Sequence, residues 1–243
     1  MFNIKKYFIV ILLAIFTGCS LTNTKINITS RLDLPSGTAT KKKEVINTKI
    51  IDVPLICQYP ELPTGCESVA ATMFLNYYGI SIDSSTFASS WLNSSNYFYE
   101  MNGKLYGPNP YVEFVGNPYS YNSYGCFASV IASAINYNQN QIVVHEQNNL
   151  SLEKLCEYYI LKDHPVLIWA TMNMSPVEEG NSWYLYSDEY FVWPAGEHCL
   201  VLVGFDEEYY YFNDPQTGNV EKYEKDIAQR RFEEMGSQSI TIK

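Results

Sequence analysis

One run of residues, apolar on nearly every side, constrains the fold of this 243-residue chain more than any other feature. The run extends from Cys66 to Tyr78, and Gly79 follows it as a helix stop. Thr64 and Glu67 have the spacing of a capping box, which predicts that a helix begins at Thr64. A helix with apolar residues all round is stable only when other elements surround it. The sequence therefore predicts a domain built around one buried helix.

Cys66 falls in the first turn of this predicted helix. Unpaired backbone N–H groups and the positive end of the helix dipole favour thiolate over thiol at that place. Because the thiolate is the reactive form, Cys66 is a candidate nucleophile, expected to react below the ordinary cysteine pKa of about 8.5. The alternative is a small, inert, buried residue that happens to precede a helix.

A β-hairpin is predicted around Asp206, with residues 199–205 and 209–212 as its strands. If the turn is centred on Asp206, His198 faces Asp214 across the ladder with Cβ atoms about 5 Å apart. A carboxylate at that distance fixes the imidazole tautomer and leaves the second ring nitrogen free to serve a cysteine. His198 is therefore the candidate base, and Asp214 the residue that orients it.

Three other residues bear on the assignment of His198 as the base and Asp214 as the residue that orients it. Gly204 permits a β-bulge that would shift the pairing of the two strands. The chain has two more histidines, His145 and His164, and both stand in contexts typical of surface or turn residues.

A metal site is the competing use of Cys57, Cys66, His198 and Cys199. Adjacent strand residues point to opposite faces, so His198 and Cys199 are poorly placed to share one ion. The sequence also lacks the Cys-x-x-Cys and His-x-x-x-His spacings of common zinc sites. We therefore predict no metal ligands.

Residues 1–18 have the layout of a secretory signal. Lys5 and Lys6 precede an apolar run over residues 7–16, and small residues lead to Cys19. The run is short for a membrane span, which needs about 20 residues. The small residues before Cys19 resemble a bacterial lipobox, which predicts cleavage there and a lipid on its sulfur. An uncleaved anchor helix is the alternative.

The remaining chain divides into a polar tether, residues 19–49, and one domain, residues 50–243. The tether is rich in Ser, Thr, Asn and Lys and has too few apolar residues to fold. Residues 51–243 hold eight Lys or Arg and twenty-four Asp or Glu. An acidic domain repels nucleic acid, so we predict that the protein binds no nucleic acid. The signal-like layout of residues 1–18 predicts an extracytoplasmic protein, lipid-anchored to the membrane or secreted.

The sequence does not decide whether the other cysteines of the domain form disulfides or are free thiols. If Cys66 stays reduced, Cys57, Cys126, Cys156 and Cys199 can form disulfides in three pairings. A domain of this size is stable without them, so buried free thiols are an equal alternative.

Several motifs, in one order along residues 50–243, resemble the bacterial cysteine peptidases related to the leader-peptidase domain of bacteriocin transporters, in particular their stand-alone exported branch. The matching segments are Val53-Pro54, Gln58, Leu62-Pro63-Thr64-Gly65-Cys66-Glu67, Leu75-Asn76-Tyr77-Tyr78-Gly79, Tyr106-Gly107-Pro108-Asn109-Pro110, Phe114-Val115-Gly116-Asn117-Pro118, Tyr124-Gly125-Cys126-Phe127, Pro165-Val166-Leu167-Ile168-Trp169, residues 197–206 and Asn213-Asp214-Pro215.

The resemblance implies an α+β, papain-like fold in which a buried helix carrying Cys66 packs on an antiparallel sheet carrying His198 and Asp214. It also implies that Gln58 donates a hydrogen bond to the oxyanion of the reaction. We predict no cofactor. An aimed side-chain amide of this kind lowers the barrier to acyl transfer by roughly 3 kcal/mol.

Residues 97–124 and 173–197 are rich in Tyr, Asn, Gly or Trp and show little periodicity, which is typical of long functional loops. We expect them to wall a cleft for a peptide or protein substrate. The candidate substrate contacts are Trp193, Tyr124, Gly125 and Glu197.

The leading functional prediction is thiol-dependent hydrolysis of a peptide or isopeptide bond outside the membrane. Transglutaminase-like acyl transfer and cell-wall amide hydrolysis are alternatives, because those enzymes share the order Cys, His, then a polar residue. A non-catalytic peptide-binding lipoprotein of the same fold is a third possibility.

Overall fold

A computed structural model describes residues 47–243. The predicted signal segment 1–18, the predicted lipidation site Cys19 and nearly all of the predicted tether 19–49 lie outside the described residues. Within the part of the chain that is described, no helix is both long and apolar enough to cross a membrane.

Helices are few in the described part of the chain. The α-helices are α1 (Cys66–Tyr77), α2 (Ser84–Thr86), α3 (Ala128–Asn138), α4 (Leu152–Tyr158) and α5 (Lys225–Glu234). Shorter helical turns are formed by Phe87–Trp91, which is a π-helical turn, and by Ile160–Lys162 and Met172–Met174, which are 3₁₀ turns.

Strands make up most of the remaining regular structure. They are β1 (Lys49–Ile50), β2 (Ser94–Ser95), β3 (Tyr99–Met101), β4 (Lys104–Gly107), β5 (Phe114–Val115), β6 (Val144–Gln147), β7 (Val166–Thr171), β8 (Glu178–Leu185), β9 (Tyr190–Ala195), β10 (Glu197–Phe205), β11 (Tyr209–Asp214), β12 (Asn219–Glu224) and β13 (Ser239–Ile242).

An antiparallel sheet forms the centre of the domain. Its strand order is β12-β11-β10-β7-β13-β6, and β1 pairs with the end of β10. Every residue of β7 is buried, and so is every residue of β10 except the last. Both faces of these strands are therefore covered. Helix α1 packs against β10 and β7, while α5 packs against β7, β11 and β12. The mixture of helices and antiparallel sheets gives the α+β class that was predicted.

Helix α1 begins at Cys66, not at the predicted Thr64. Gly65 occupies the N-cap position and has no side chain to cap the helix. The Thr64 hydroxyl instead donates to the carbonyl of Ser120 over 2.9 Å, and the Glu67 side chain turns into the interior. The predicted capping box was therefore wrong, although Cys66 does lie in the first turn.

The other end of α1 agrees with the prediction. Gly79 has φ of +78°, the left-handed conformation that glycine adopts readily. Its N–H donates to the carbonyl of Asn76, and the N–H of Ile80 donates to that of Leu75, both over 3.0 Å. These bonds are a Schellman motif, which satisfies the last carbonyls of the helix. All residues from Cys66 to Leu75 are buried, as the apolar run predicted.

The β10–β11 hairpin has a different register from the one predicted. Val201 pairs with Asn213, and the pairing then shifts by one residue between Leu202 and Gly204. The Val201–Asn213 register places Leu200 opposite Asp214, two residues from His198. The direct pairing of His198 with Asp214 was therefore wrong, because the hairpin has a bulge and a turn displaced toward its second strand. The two side chains are diagonal neighbours, which long side chains still bridge.

The regions predicted to be long loops contain a second sheet with the order β3-β4-β8-β9. Strands β8 and β9 occupy much of residues 173–197, so the prediction of irregular structure was wrong there. In β8 only Trp183 and Leu185 are buried, and small or polar residues fill the positions before them. So short an alternation gives little periodic signal.

Candidate active site

A cleft of about 270 Å³ lies where the start of α1 meets the start of β10. A larger depression of about 470 Å³ lies beside Cys156 and Tyr210, but it contains none of the predicted catalytic residues. The smaller cleft is therefore the candidate site. Its lining consists of Gln58, Tyr59, Pro63, Thr64, Cys66, Tyr121, Ser123, Tyr124, Met172, Trp193, Gly196, Glu197, His198 and Gln216.

Cys66 is the first residue of α1, and its residue surface is 6% exposed. Its Sγ donates a hydrogen bond to Oε2 of Glu67 over 3.3 Å. Burial raises the pKa of the Cys66 thiol well above its ordinary value, and the negative charges of Glu67 and Glu197 raise it further. The expectation of a lowered pKa was therefore wrong for this arrangement. The helix terminus does not outweigh burial beside two acidic side chains.

His198 and Asp214 form a buried pair in the central sheet. Nε2 of His198 lies 2.8 Å from Oδ1 of Asp214, and the backbone N–H of Gln216 donates to the same oxygen over 2.7 Å. Burial alone would raise the pKa of Asp214, but the hydrogen bonds and the histidine charge hold that pKa below its ordinary value. The carboxylate fixes the ring through Nε2, which leaves Nδ1 as the nitrogen available for chemistry.

Gln58 lies in the same cleft, and hydrogen bonds from its backbone and its side chain hold it in place. Its N–H donates to the carbonyl of Pro215, and its side-chain Nε2 donates to the carbonyl of Pro63 over 2.9 Å. An amide nitrogen carries two hydrogens, so one donor is left for an incoming group. Its Oε1 is buried and has no partner among the described residues.

The predicted substrate contacts divide into two groups. Trp193, Tyr124 and Glu197 line the cleft, and the rings of Trp193 and Tyr124 meet edge to face with centroids 5.5 Å apart. Gly125 does not line it. A Cβ at Gly125 would lie 2.4 Å from Oε1 of Glu67 and 3.0 Å from Oε2 of Glu197. Glycine at this position thus makes room for two carboxyl groups.

The buried acidic pair is the feature that the sequence reasoning missed. Glu67 is fully buried, and one of its oxygens accepts the N–H of Cys126 over 2.7 Å. Burial raises the pKa of Glu67 to about 7, because the hydrogen bonds it accepts compensate only in part. Burial, and then the charge of Glu67, raise the pKa of Glu197. Glu67 is a charged residue in an otherwise largely apolar helical run, and this was the available signal of a buried acid. Its assignment to a capping box led to the prediction of a helix cap instead.

All five cysteines in the described part of the chain are free thiols. Cys57 is exposed, whereas Cys66, Cys126, Cys156 and Cys199 are buried.

One group of side chains in the described residues could hold a metal ion, although the sequence spacing predicted none. Cys66, Glu67 and Glu197 offer ligand atoms that all lie within 4.8 Å of one another. The set considered from sequence, with Cys57, His198 and Cys199, does not come together in this way in the described region.

Comparison with known proteins identifies the architecture. The Peptidase_C39 like family matches residues 50–240. The uncharacterized protein YvpB of Bacillus subtilis (strain 168) is 26% identical over 225 residues, which cover 90% of this chain and 86% of YvpB. A crystal structure from Bacillus anthracis, provisionally assigned as a C39-like peptidase, superposes with a TM-score of 0.70 at 28% identity. That match covers 80% of this chain and 97% of the other.

The family match covers most of the chain, and the solved structure has the same fold over nearly its whole length. The predicted family and the predicted papain-like architecture are therefore confirmed. Family membership points to activity of the cysteine-peptidase type. The chain belongs to the Peptidase_C39 like family and has its α+β, papain-like fold.

Proposed function

We propose that this protein is a cysteine peptidase that hydrolyses a peptide or isopeptide bond at the outer face of the bacterial membrane. The observation that carries the proposal is the opening of Cys66, His198 and Gln58 onto one cleft, with Asp214 bonded to the far side of the imidazole. A nucleophile, a base, an orienting carboxylate and an oxyanion donor are the set that acyl transfer requires.

In the proposed reaction, Nδ1 of His198 takes the proton of the Cys66 thiol, and the sulfur attacks the substrate carbonyl. Gln58 Nε2 and the backbone N–H groups at the start of α1 donate to the oxygen that becomes negative. The imidazolium then protonates the leaving amine, and the peptide bond breaks to give a thioester. Water, deprotonated by His198, attacks the thioester and releases the acid and the free thiol.

The resting thiol must leave Glu67 before this sequence begins. Its bond to Glu67 and its raised pKa keep Cys66 neutral in the empty cleft. We propose that substrate binding displaces the thiol from Glu67 toward His198, so that the nucleophile forms only when the cleft is filled.

The walls of the cleft support a peptide substrate. Trp193, Tyr124 and Met172 supply aromatic and apolar surface, while Glu197 supplies an acidic group. The domain as a whole is strongly acidic, which favours neutral or cationic peptides over anionic ones. The location rests on the sequence of the first 49 residues, whose signal-like layout and Cys19 support export and lipid anchoring.

The proposal is tested by incubating the purified protein with a diverse peptide library and reading new termini by mass spectrometry. We expect cleavage by the wild-type protein and by Cys57→Ala, which removes an exposed thiol outside the cleft. Cys66→Ala should show no cleavage. Equal cleavage by Cys66→Ala would overturn the proposal, because the products would then come from another group or a contaminant.

A further inference from the structure

The start of α1 and the start of β10 bring a thiol and two carboxyl groups together, and the proposed peptidase reaction does not require the carboxyl pair. Cys66 and Glu67 are the first two residues of α1, and Glu197 is the first residue of β10. Their ligand atoms all lie within 4.8 Å of one another. Sγ of Cys66 and Oε2 of Glu67 are 3.3 Å apart. In tetrahedral zinc sites with ordinary Zn–S and Zn–O bonds, the sulfur and oxygen ligands are about 3.5 Å apart. The Cys66 sulfur and the Glu67 oxygen are therefore already at nearly the separation that two zinc ligands need.

Glu197 supplies an independent observation that points to a ligand. Its residue surface is 8% exposed, and its Oε1 has no hydrogen-bond partner within the described region. The other oxygen of the same carboxyl group, Oε2, lies on the Glu67 side, since Oε2 of Glu197 and Oε1 of Glu67 both crowd the position that a Cβ on Gly125 would occupy. Burying a carboxyl oxygen without a partner is unfavourable. A cation between the two carboxylates would supply that partner.

The surroundings favour a cation and hold its ligands in place. Along the described part of the chain, the residues that line the cleft include no lysine or arginine. The backbone N–H of Cys126 donates to Oε1 of Glu67, which leaves Oε2 facing the sulfur. A hydrogen bond of this kind behind a ligand fixes its orientation and is typical of built metal sites.

We infer that Cys66, Glu67 and Glu197 form a site for a divalent cation of the zinc class, which caps the Cys66 sulfur reversibly. A thiolate with two carboxylates suits a borderline ion such as Zn²⁺ or Co²⁺ better than Ca²⁺ or Mg²⁺. Binding releases the protons that the three ligands carry, and the side of the ion facing the cleft takes a water. The bound sulfur is not available as a nucleophile, so the loaded protein is inhibited. The site shares Cys66 with the proposed function, but its occupancy does not depend on peptidase activity.

The test is a titration of the metal-free, full-length protein with Co²⁺, followed by absorption spectroscopy. A cobalt–thiolate bond gives a charge-transfer band in the near ultraviolet that cobalt on carboxylates alone does not give. We expect the band to saturate at one equivalent in the wild-type protein and in Cys57→Ala, and to be absent in Cys66→Ala. Adding a chelator should abolish the band, because the cation caps the sulfur reversibly.

Carboxylate variants decide whether the acidic pair takes part. Glu197→Gln keeps the shape of the side chain and should weaken Co²⁺ binding by at least about tenfold. Glu179→Gln, at an exposed position of β8, is the matched control and should bind as the wild type does. Circular dichroism establishes that each variant is folded. A folded wild-type protein without the band would overturn the inference, as would a band that survives Cys66→Ala or an unchanged affinity in Glu197→Gln. Because no substrate is used, this result is independent of whether the protein is a peptidase.

Discussion

The two sides of the cleft bury carboxyl groups to a similar extent and treat them in opposite ways. On one side Asp214 meets an imidazole and backbone N–H groups, and its pKa falls below the ordinary value. On the other side Glu67 meets a thiol and a second glutamate, and burial raises its pKa to about 7. The partners of a buried acid, and not burial alone, therefore decide its charge.

The difference has a direct consequence for the chemistry. On the side with His198 and Asp214, the imidazole is held by a hydrogen bond to the carboxylate. The side with Cys66 and Glu67 keeps the sulfur protonated and bonded to a carboxyl group. In our proposal the protein therefore has a prepared side, with His198 and Asp214, and a restrained side, with Cys66 and Glu67.

The largest effect should come from the prepared side. Asp214→Asn keeps the shape of the side chain but removes the charge that fixes the imidazole tautomer. We expect turnover of a cleaved peptide to fall by roughly 10⁴-fold, as in hydrolases with an equivalent orienting aspartate. Asp206→Asn is the matched control, because that carboxylate lies in the same hairpin and bonds only to the turn and to Tyr211. Equal losses in the two variants would show that Asp214 acts only through the stability of the hairpin.

A smaller loss is expected for the oxyanion donor. Gln58→Ala should lower kcat by roughly 10²- to 10³-fold and leave KM nearly unchanged, since the bond strengthens only in the transition state. Gln216→Ala removes another amide from the cleft lining and should change kcat little, because its Nε2 contacts the sulfur of Met172. A rise in KM without a fall in kcat for Gln58→Ala would assign Gln58 to substrate binding.

The smallest effect is on stability and concerns the restrained side. The folded-state pKa of Glu67 is raised to about 7 from an ordinary value of 4.5. The unfolded chain therefore loses this proton first, and the stabilisation present below pH 4.5 disappears as pH rises through 7. Glu67→Gln does not titrate. We expect its stability relative to the wild type to increase by about 3 kcal/mol between pH 4.5 and pH 8.

Urea unfolding at several pH values, with a chelator present, measures this difference. Glu179→Gln is the control, because the position is exposed. A difference between Glu67→Gln and the wild type that does not change with pH would contradict a raised pKa at Glu67.

Much of the fold was predictable because the signals were local. The apolar run predicted a buried helix, and Gly79 predicted its end, since both depend on neighbouring residues. The strands β10 and β11 were predicted for the same reason. Their register was not, because the bulge between Leu202 and Gly204 lies where β1, from a distant part of the sequence, pairs with Gly204. A Cβ on Gly204 would lie 2.4 Å from the carbonyl oxygen of Lys49.

The residues proposed for the site were nominated from motifs, but their electrostatics came from packing. Nothing near Glu67 in the sequence indicates that Gly125 and Glu197 will enclose it. The helix terminus at Cys66 is only one influence on the thiol, whose pKa responds to every charge and every buried atom around it. Local sequence therefore located the candidate nucleophile and gave the wrong direction for its pKa.

Cys66 and His198 are proposed to act as one unit, and the rate at which a peptidyl electrophile labels Cys66 measures this coupling. Labelling should be selective for Cys66 over the exposed Cys57, and His198→Ala should slow it by about 10²-fold or more at neutral pH. Equal labelling of Cys57 and Cys66, or an unchanged rate in His198→Ala, would contradict the account.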